Sequence, residues 1–337
     1  MCIRDSLKDG FGVPAVSFPG LRMVPGAAGR AISKPRTTLY NLARAPRFAR
    51  AVAGITRAIA RERPDVVVNF WDLLGGIACA RATGAGGARA PRVVAISSNH
   101  YLLDHPAVPF PRPDRVEELL FRALNRLSAP AGATRVALSL RPLDPPAPPV
   151  RPLHILPPLL RRVVMDAEPA PGGHLLVYLL HPGYAEELAR WHERRPEIEV
   201  HAFSNRPGAP ESEALRPGLT LHRLSETRFL ALMRGCRALA TTAGFQAVAE
   251  ARWLGKPVLV VPTAEHVEQL LNAQEIVAAG AGMAADRFDL DALLRWVPGP
   301  GWDHEGFRAW VREGRTRMLE LMEGAPARAG AAPGLTR

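Results

Sequence analysis

The stretch Thr241–Ala273, "TTAGFQAVAEARWLGKPVLVVPTAEHVEQLLNA", spaces its polar groups to suit a ligand with an anionic centre and hydroxyls on either side. Thr242, Ala243 and Gly244 form a small-residue turn, and Phe245 begins a run of helical period. Backbone N–H groups at a helix start attract anions, and glycine lets them come close. A diphosphate fits there. Glu250 follows Gly244 by six residues, so at ~1.5 Å rise per residue it stands about 9 Å along the axis. That distance suits a carboxylate accepting from both hydroxyls of a ribose whose diphosphate rests at the helix start. A lone Glu on a helix is usually only solvated. Here Gln269 and Asn272 follow on a second helix, three apart and on one face. Amides both donate and accept, which suits sugar hydroxyls. The combination points to a nucleotide-sugar. Glu268 serves the helix dipole as readily as a ligand, and His266 either faces the ligand or sits in its loop.

A second cluster, Asn99, His100, Asp104 and His105, follows a predicted strand. Histidine titrates near neutrality, so His100 or His105 is a candidate general base for an acceptor hydroxyl. The competing reading is that both hold a loop through hydrogen bonds.

The elements that must position these groups alternate. Periodicity predicts a helix over Thr37–Pro64, a strand in "DVVVNF", a helix in "LLGGIACARATG", a strand in "RVVAISSNHYLL" leading into a loop, and a helix over Val116–Gly132. A short strand is also expected around Val13–Phe18. The run "RPLDPPAPPVRPLHILPPLLRRVV" is dense in proline and reads as an extended linker. The second half predicts strands at Leu175–Leu180, Val200–Ser204, Leu219–Arg223, Ala238–Thr241 and Val258–Val261. Helices fall at Tyr184–Arg194, Glu226–Arg234, Phe245–Leu254 and Val267–Ala279, with Gly255 and Gly280 where helix C-terminal glycines belong. A last helix is expected over Glu305–Met322. Strand–helix alternation of this kind builds parallel α/β sheets.

Composition removes several function classes. The 337 residues allow two domains, and 47% hydrophobic content supplies their cores. Cys2, Cys79 and Cys236 show neither metal-ligand nor disulfide spacing, which suits a reducing cytoplasm. No apolar run is long enough to span a membrane. The formal charge is +11, yet of the 43 basic residues only Lys8, Lys34 and Lys256 are lysines, and the arginines are dispersed. That is codon bias written onto a surface rather than a nucleic-acid footprint. A peripheral contact with an anionic membrane stays compatible with the charge.

The segment "AGFQAVAEARWLGKPVLVVP…HVEQLLNA…AGAG" resembles the donor motif of GT-B glycosyltransferases. It is most similar to the group around the lipid II-forming N-acetylglucosaminyltransferases, with a family 28-like donor domain. Gly244, Glu250, Gly255, Pro257, Gln269 and Asn272 match that pattern, while Ala243 stands where a first glycine is usual. The resemblance implies two Rossmann-like domains facing a cleft: an acceptor domain over 7–150 and a donor domain over 157–300. A crossing-back helix follows over 301–323, then a disordered tail over 324–337. It implies transfer of a sugar from a UDP-linked donor to a lipid- or glycan-linked hydroxyl, with inversion. A helix dipole stands in for a metal, so no cofactor or obligatory cation is expected. His181 and Gly183 would face the donor phosphates, and Leu224 and Ser225 the nucleobase. The adapter-like "MCIRDS" and the absence of the family's first strand–helix unit are read as an acceptor domain that begins mid-domain, and in many relatives that unit carries the base. A nucleotide-sugar 2-epimerase or a non-catalytic nucleotide-sugar binder are the alternatives on the same fold.

Overall fold

The computed structural model describes residues 16–26, 32–84, 90–104, 108–112, 114–144, 152–179, 184–206, 208–296 and 302–324. The chain divides into two compact units. One holds Met1–Ala51, Pro109–Pro113 and Leu160–His304; the other holds Val52–Val108, Asp114–Leu159 and Glu305–Arg337. Residues up to Ala51 therefore group with the later sheet, whereas the sequence reading gave them to the first domain.

Two helices, α1 (Lys34–Leu42) and α2 (Ala45–Glu62), replace the single helix predicted over Thr37–Pro64. Pro46 lacks the N–H that would bond the Leu42 carbonyl, so the helix breaks and restarts. Of the strand predicted at Val13–Phe18, residues 16–18 are coil and the rest lie outside the described residues.

The smaller unit carries β1 (Val66–Asn69), α3 (Leu73–Gly84), β2 (Arg92–Ile96), α4 (Ser98–Asp104), α5 (Arg115–Ser128), β3 (Thr134–Leu138) and β4 (His154–Leu156). Its sheet runs β1-β2-β3-β4, parallel throughout. Two expectations are corrected here. The loop expected after β2 is the helix α4. The proline-rich run read as a linker contributes β4, a three-residue edge strand between Pro152 and Pro157. Proline is tolerated at such an edge because the missing N–H faces no neighbouring strand. Residues 145–151 of that run lie outside the described residues.

The larger unit continues with α6 (Arg162–Met165), β5 (Leu175–Leu179), α7 (Ala185–Arg194), β6 (Val200–Ser204), β7 (Ser212–Arg216), β8 (Leu219–Arg223), α8 (Glu226–Gly235), β9 (Ala238–Thr241), α9 (Phe245–Trp253), β10 (Val258–Val260), α10 (Val267–Ala278), β11 (Met283–Ala284) and α11 (Leu290–Arg295). Strand order is β11-β10-β9-β5-β6-β8-β7, with only β7 antiparallel. The strands read as apolar runs because helices cover both faces. Leu175, Val177, Ala240 and Leu259 pack there with Leu188, Trp191 and Leu290. Gly255 and Gly280 take φ of 68° and 61°, the left-handed caps that α9 and α10 need.

The last helix, α12 (His304–Glu323), packs Met318 and Leu321 against Val94, Ile96, Val136 and Leu156 of the four-stranded sheet. Gly314 is obligatory in that contact: a Cβ there would lie 2.1 Å from Pro157 Cγ. The tail expected over 324–337 lies outside the described residues from 325 onward.

Candidate active site

Strand order fixes where a ligand belongs. From β5 the sheet grows one way through β6 and β8, and the other way through β9 and β10. Open α/β sheets bind ligands beyond the carboxyl ends of the strands where that order reverses. The carboxyl end of β9 is Thr241, and Thr242–Gly244 turn directly from it into α9. The turn is tight: Gly244 N–H bonds the Thr242 carbonyl at 2.5 Å. Thr242 and Ala243 are buried, and Gly244 is exposed as the N-cap of α9. No side chain caps that helix start. Gly244 has φ −82°, and a Cβ there would meet nothing nearer than the Thr242 carbonyl oxygen at 3.8 Å. Neither backbone nor packing demands glycine at 244.

The two amides meet this turn from α10. Asn272 Nδ2 donates to the Ala243 carbonyl at 3.0 Å, tying α10 to the turn. Its Oδ1 is buried and unpartnered. Gln269 Oε1 accepts from Thr263 N–H at 2.7 Å and so braces the loop before α10. His266 is the N-cap of α10 without capping it through its side chain. Burial pushes its pKa down, and Nδ1 is buried without a partner. The preceding Glu265 has φ 63° and is held by Lys34 at 3.3 Å and by Arg112. Glu268 lies in the first turn of α10.

Glu250 departs most from expectation. It is buried, and Arg161 grips it with both ends of its fork: Nε to Oε1 and Nη2 to Oε2, each at 2.7 Å. Gln246 Nε2 adds a bond to Oε1 at 3.0 Å. The remaining nitrogen of Arg161 bonds Glu226, the first residue of α8. Arg161 is the residue that sequence reasoning missed, and its only signal was the Arg-Arg pair closing the proline-rich run. Beside Glu226, Ser225 caps α8 through Oγ to Arg228 N–H at 3.3 Å, and Leu224 is half-buried. The residues assigned to diphosphate, ribose, sugar and base thus share one unit and one sheet edge. His181 and Gly183 lie outside the described residues.

His100 does not behave as a base. The chain after β2 turns into α4, and His100 faces inward, fully buried. Asn125 Oδ1 accepts from His100 Nδ1 at 2.9 Å and from Trp71 Nε1 at 3.0 Å. A side chain so placed fixes α4 against α5 and meets no acceptor. Asp104 pairs with the buried Arg135. His105 lies outside the described residues. Burial raises the Cys79 thiol and pushes Cys236 up to about 12, so neither is a nucleophile. One Asp-x-Asp spacing, Asp289 and Asp291, occurs in the chain. It is occupied structurally: Asp289 caps α11, while Asp291 accepts from Trp191 Nε1 at 3.0 Å and pairs with Arg195 at 3.1 Å. Among the described residues no cluster of ligating side chains fits a metal ion.

Two α/β units, one on a four-stranded parallel sheet and one on a sheet parallel but for β7, with a helix-opening turn at the reversal of strand order in the larger one, have the architecture of a GT-B glycosyltransferase. The chain belongs to glycosyl transferase family 1, whose match spans residues 3–297. Among solved structures it is similar to the glycotransferase of kitacinnamycin, at 19% identity and TM-score 0.56 over 84% of this chain and 83% of that one. It is similar to a spinosyn rhamnosyltransferase at 16% and 0.52, over 94% and 89%. A calicheamicin glycosyltransferase stands at 17% and 0.51, over 88% and 82%. At these identities the likeness shows the fold. No curated protein matches the sequence.

Proposed function

We propose that this glycosyltransferase takes its sugar from a nucleoside diphosphate, UDP in our reading, and moves it to a hydroxyl acceptor. The observation that carries the proposal is the Thr242–Gly244 turn. It stands at the strand-order reversal, opens α9 without a side-chain cap, and presents a glycine that the fold itself does not need. A diphosphate there would have its growing charge stabilised by fixed backbone dipoles as the sugar leaves, without an obligatory cation. Asn272 Oδ1 and the Gln269 amide would read the sugar, with His266 and Glu268 beside them. Glu250 would hold the ribose, and Leu224 and Ser225 the base. The resemblance of residues 243–272 to the lipid II-forming transferases supports the UDP choice.

In the same reading the four-stranded unit that begins at Val52 supplies the acceptor domain and the seven-stranded unit the donor domain, and transfer inverts the anomeric centre. With His100 buried, His105 is the candidate base. A lipid- or glycan-linked acceptor would be met at the inner face of a membrane, by a cytoplasmic enzyme. Among the described residues no helix is long and apolar enough to cross a membrane. Thermal-shift measurements with UDP, TDP, GDP, ADP and their monophosphates test the donor site. A ligand that binds only the folded state raises its stability. UDP should give the largest shift and UMP a small one; no shift with any diphosphate overturns the proposal.

A further inference from the structure

A carboxylate offers about four lone-pair directions, two on each oxygen. On Glu250, Arg161 takes one on each oxygen and Gln246 takes the second on Oε1. One direction remains, on Oε2, in a side chain only 3% exposed. A ribose offers two neighbouring hydroxyls. Both cannot bond Glu250 while Arg161 holds it.

The placement of Arg161 resolves this. Its third nitrogen already bonds Glu226, and Glu226 adjoins Ser225 in the loop assigned to the base. The guanidinium therefore bridges the start of α8 and the middle of α9, the elements that carry or adjoin the residues assigned to base and ribose. We propose that Arg161 is a latch on the ribose subsite: in the ligand-free protein its guanidinium takes the place of the ribose diol on Glu250, and nucleotide binding shifts it onto Glu226. The inference rests on the donor-site reading above.

The latch answers a physical difficulty. A buried carboxylate without a partner is costly, so a ribose-binding Glu needs a counter-ion whenever the site is empty. The planar fork of arginine supplies one with two parallel bonds. After exchange the cation keeps Glu226, so it is never stranded. The bidentate pair opposes the ribose diol alone: a nucleotide without the two hydroxyls leaves Arg161 on Glu250, so the diol's gain is reduced by the cost of displacing the guanidinium.

Calorimetric titration of the full chain with UDP and with 2′,3′-dideoxyuridine diphosphate tests this, reading the ratio of the two Kd values. Arg161→Met should raise the preference for UDP by about tenfold, because the diol no longer displaces a cation. Glu226→Gln should lower the preference, because the displaced guanidinium loses its second carboxylate. A merely structural Arg161 would lower the preference in both variants or move neither. An unchanged or smaller ratio in Arg161→Met overturns the latch. Should that variant not fold, a ratio that fails to fall in Glu226→Gln overturns it instead. Glu250→Gln separates the two levels. If wild type and Glu250→Gln bind both nucleotides alike, Glu250 holds no ribose and the ribose assignment falls together with the latch; if neither nucleotide binds, the donor-site reading falls as well. If Glu250→Gln abolishes the preference while Arg161→Met does not raise it, only the latch falls.

Discussion

Gly244 and Gln269 separate what the fold needs from what a ligand needs. The φ of Gly244 is ordinary and the space beside it open, so Gly244→Ala should change folding stability by no more than about 1 kcal/mol, the scale of an N-cap substitution. The same methyl would stand where a diphosphate approaches the N–H groups of α9. UDP affinity should therefore fall by about tenfold or more, while the urea midpoint barely moves. Equal UDP binding by both forms would show that the turn holds no phosphate. Gln269 allows a finer cut, because its Oε1 braces Thr263 N–H, while in the proposed reading its NH2 would meet the sugar. Gln269→Glu keeps the acceptor and loses the donor. It should leave UDP binding and folding close to wild type and weaken binding of UDP-N-acetylglucosamine by several-fold. Calorimetry with both ligands distinguishes this from a loop defect, which would weaken the two equally.

At the scale of elements, the hairpin of β7 and β8 carries a chain of polar contacts across the sheet edge. Ser212 Oγ, His222, His201 and Glu199 are linked at 2.9, 2.9 and 3.1 Å, with Arg228 donating to Ser212. Burial, then the neighbouring His201 and Arg228, lowers the pKa of His222 from 6.5 to about 4. The unfolded chain binds the proton more readily, so stability falls as pH drops through the window from 6.5 toward 4 and is unaffected above it. Urea melts at pH 7.5, 6 and 4.5 should show a loss that His222→Phe reduces; parallel pH profiles for both forms would assign the loss elsewhere. This hairpin also marks the limit of what the sequence reveals. The buried parallel strands and the helices between them were legible, because strands such as β5 and β10 are unbroken apolar runs, the latter set between Pro257 and Pro262. The strand β7, "SEALR", was not, because an edge strand exposed on both faces carries no apolar alternation. The Thr242–Gly244 turn was legible from its place after a strand and before a helix. Arg161 was invisible, because nothing in its neighbours says that it reaches Glu250, 89 residues further on. His100 misled because histidine after a strand looks like a base until the helix that turns it inward is known.

For the whole molecule, each unit has its own core, one around Leu175, Val200 and Leu259, the other around Val94, Ile96 and Met318. Every residue assigned to donor binding in the described structure belongs to the first of these units. Units with separate cores unfold as separate cooperative blocks, and a ligand stabilises the block that binds it. Scanning calorimetry should therefore resolve two transitions, and UDP at about a hundred times its Kd should raise one of them by an amount equivalent to ~2.7 kcal/mol. The other transition has an independent handle. Gly314 touches Pro157 so closely that even alanine must push the last helix off the four-stranded sheet, at a cost of about 1–3 kcal/mol. Gly314→Ala should lower the transition that UDP leaves alone, leave UDP affinity intact, and slow sugar transfer by disturbing the unit that would present the acceptor. A single transition that both UDP and Gly314→Ala shift would show that the two cores fold as one. Loss of UDP affinity in Gly314→Ala would place part of the donor site on the four-stranded unit.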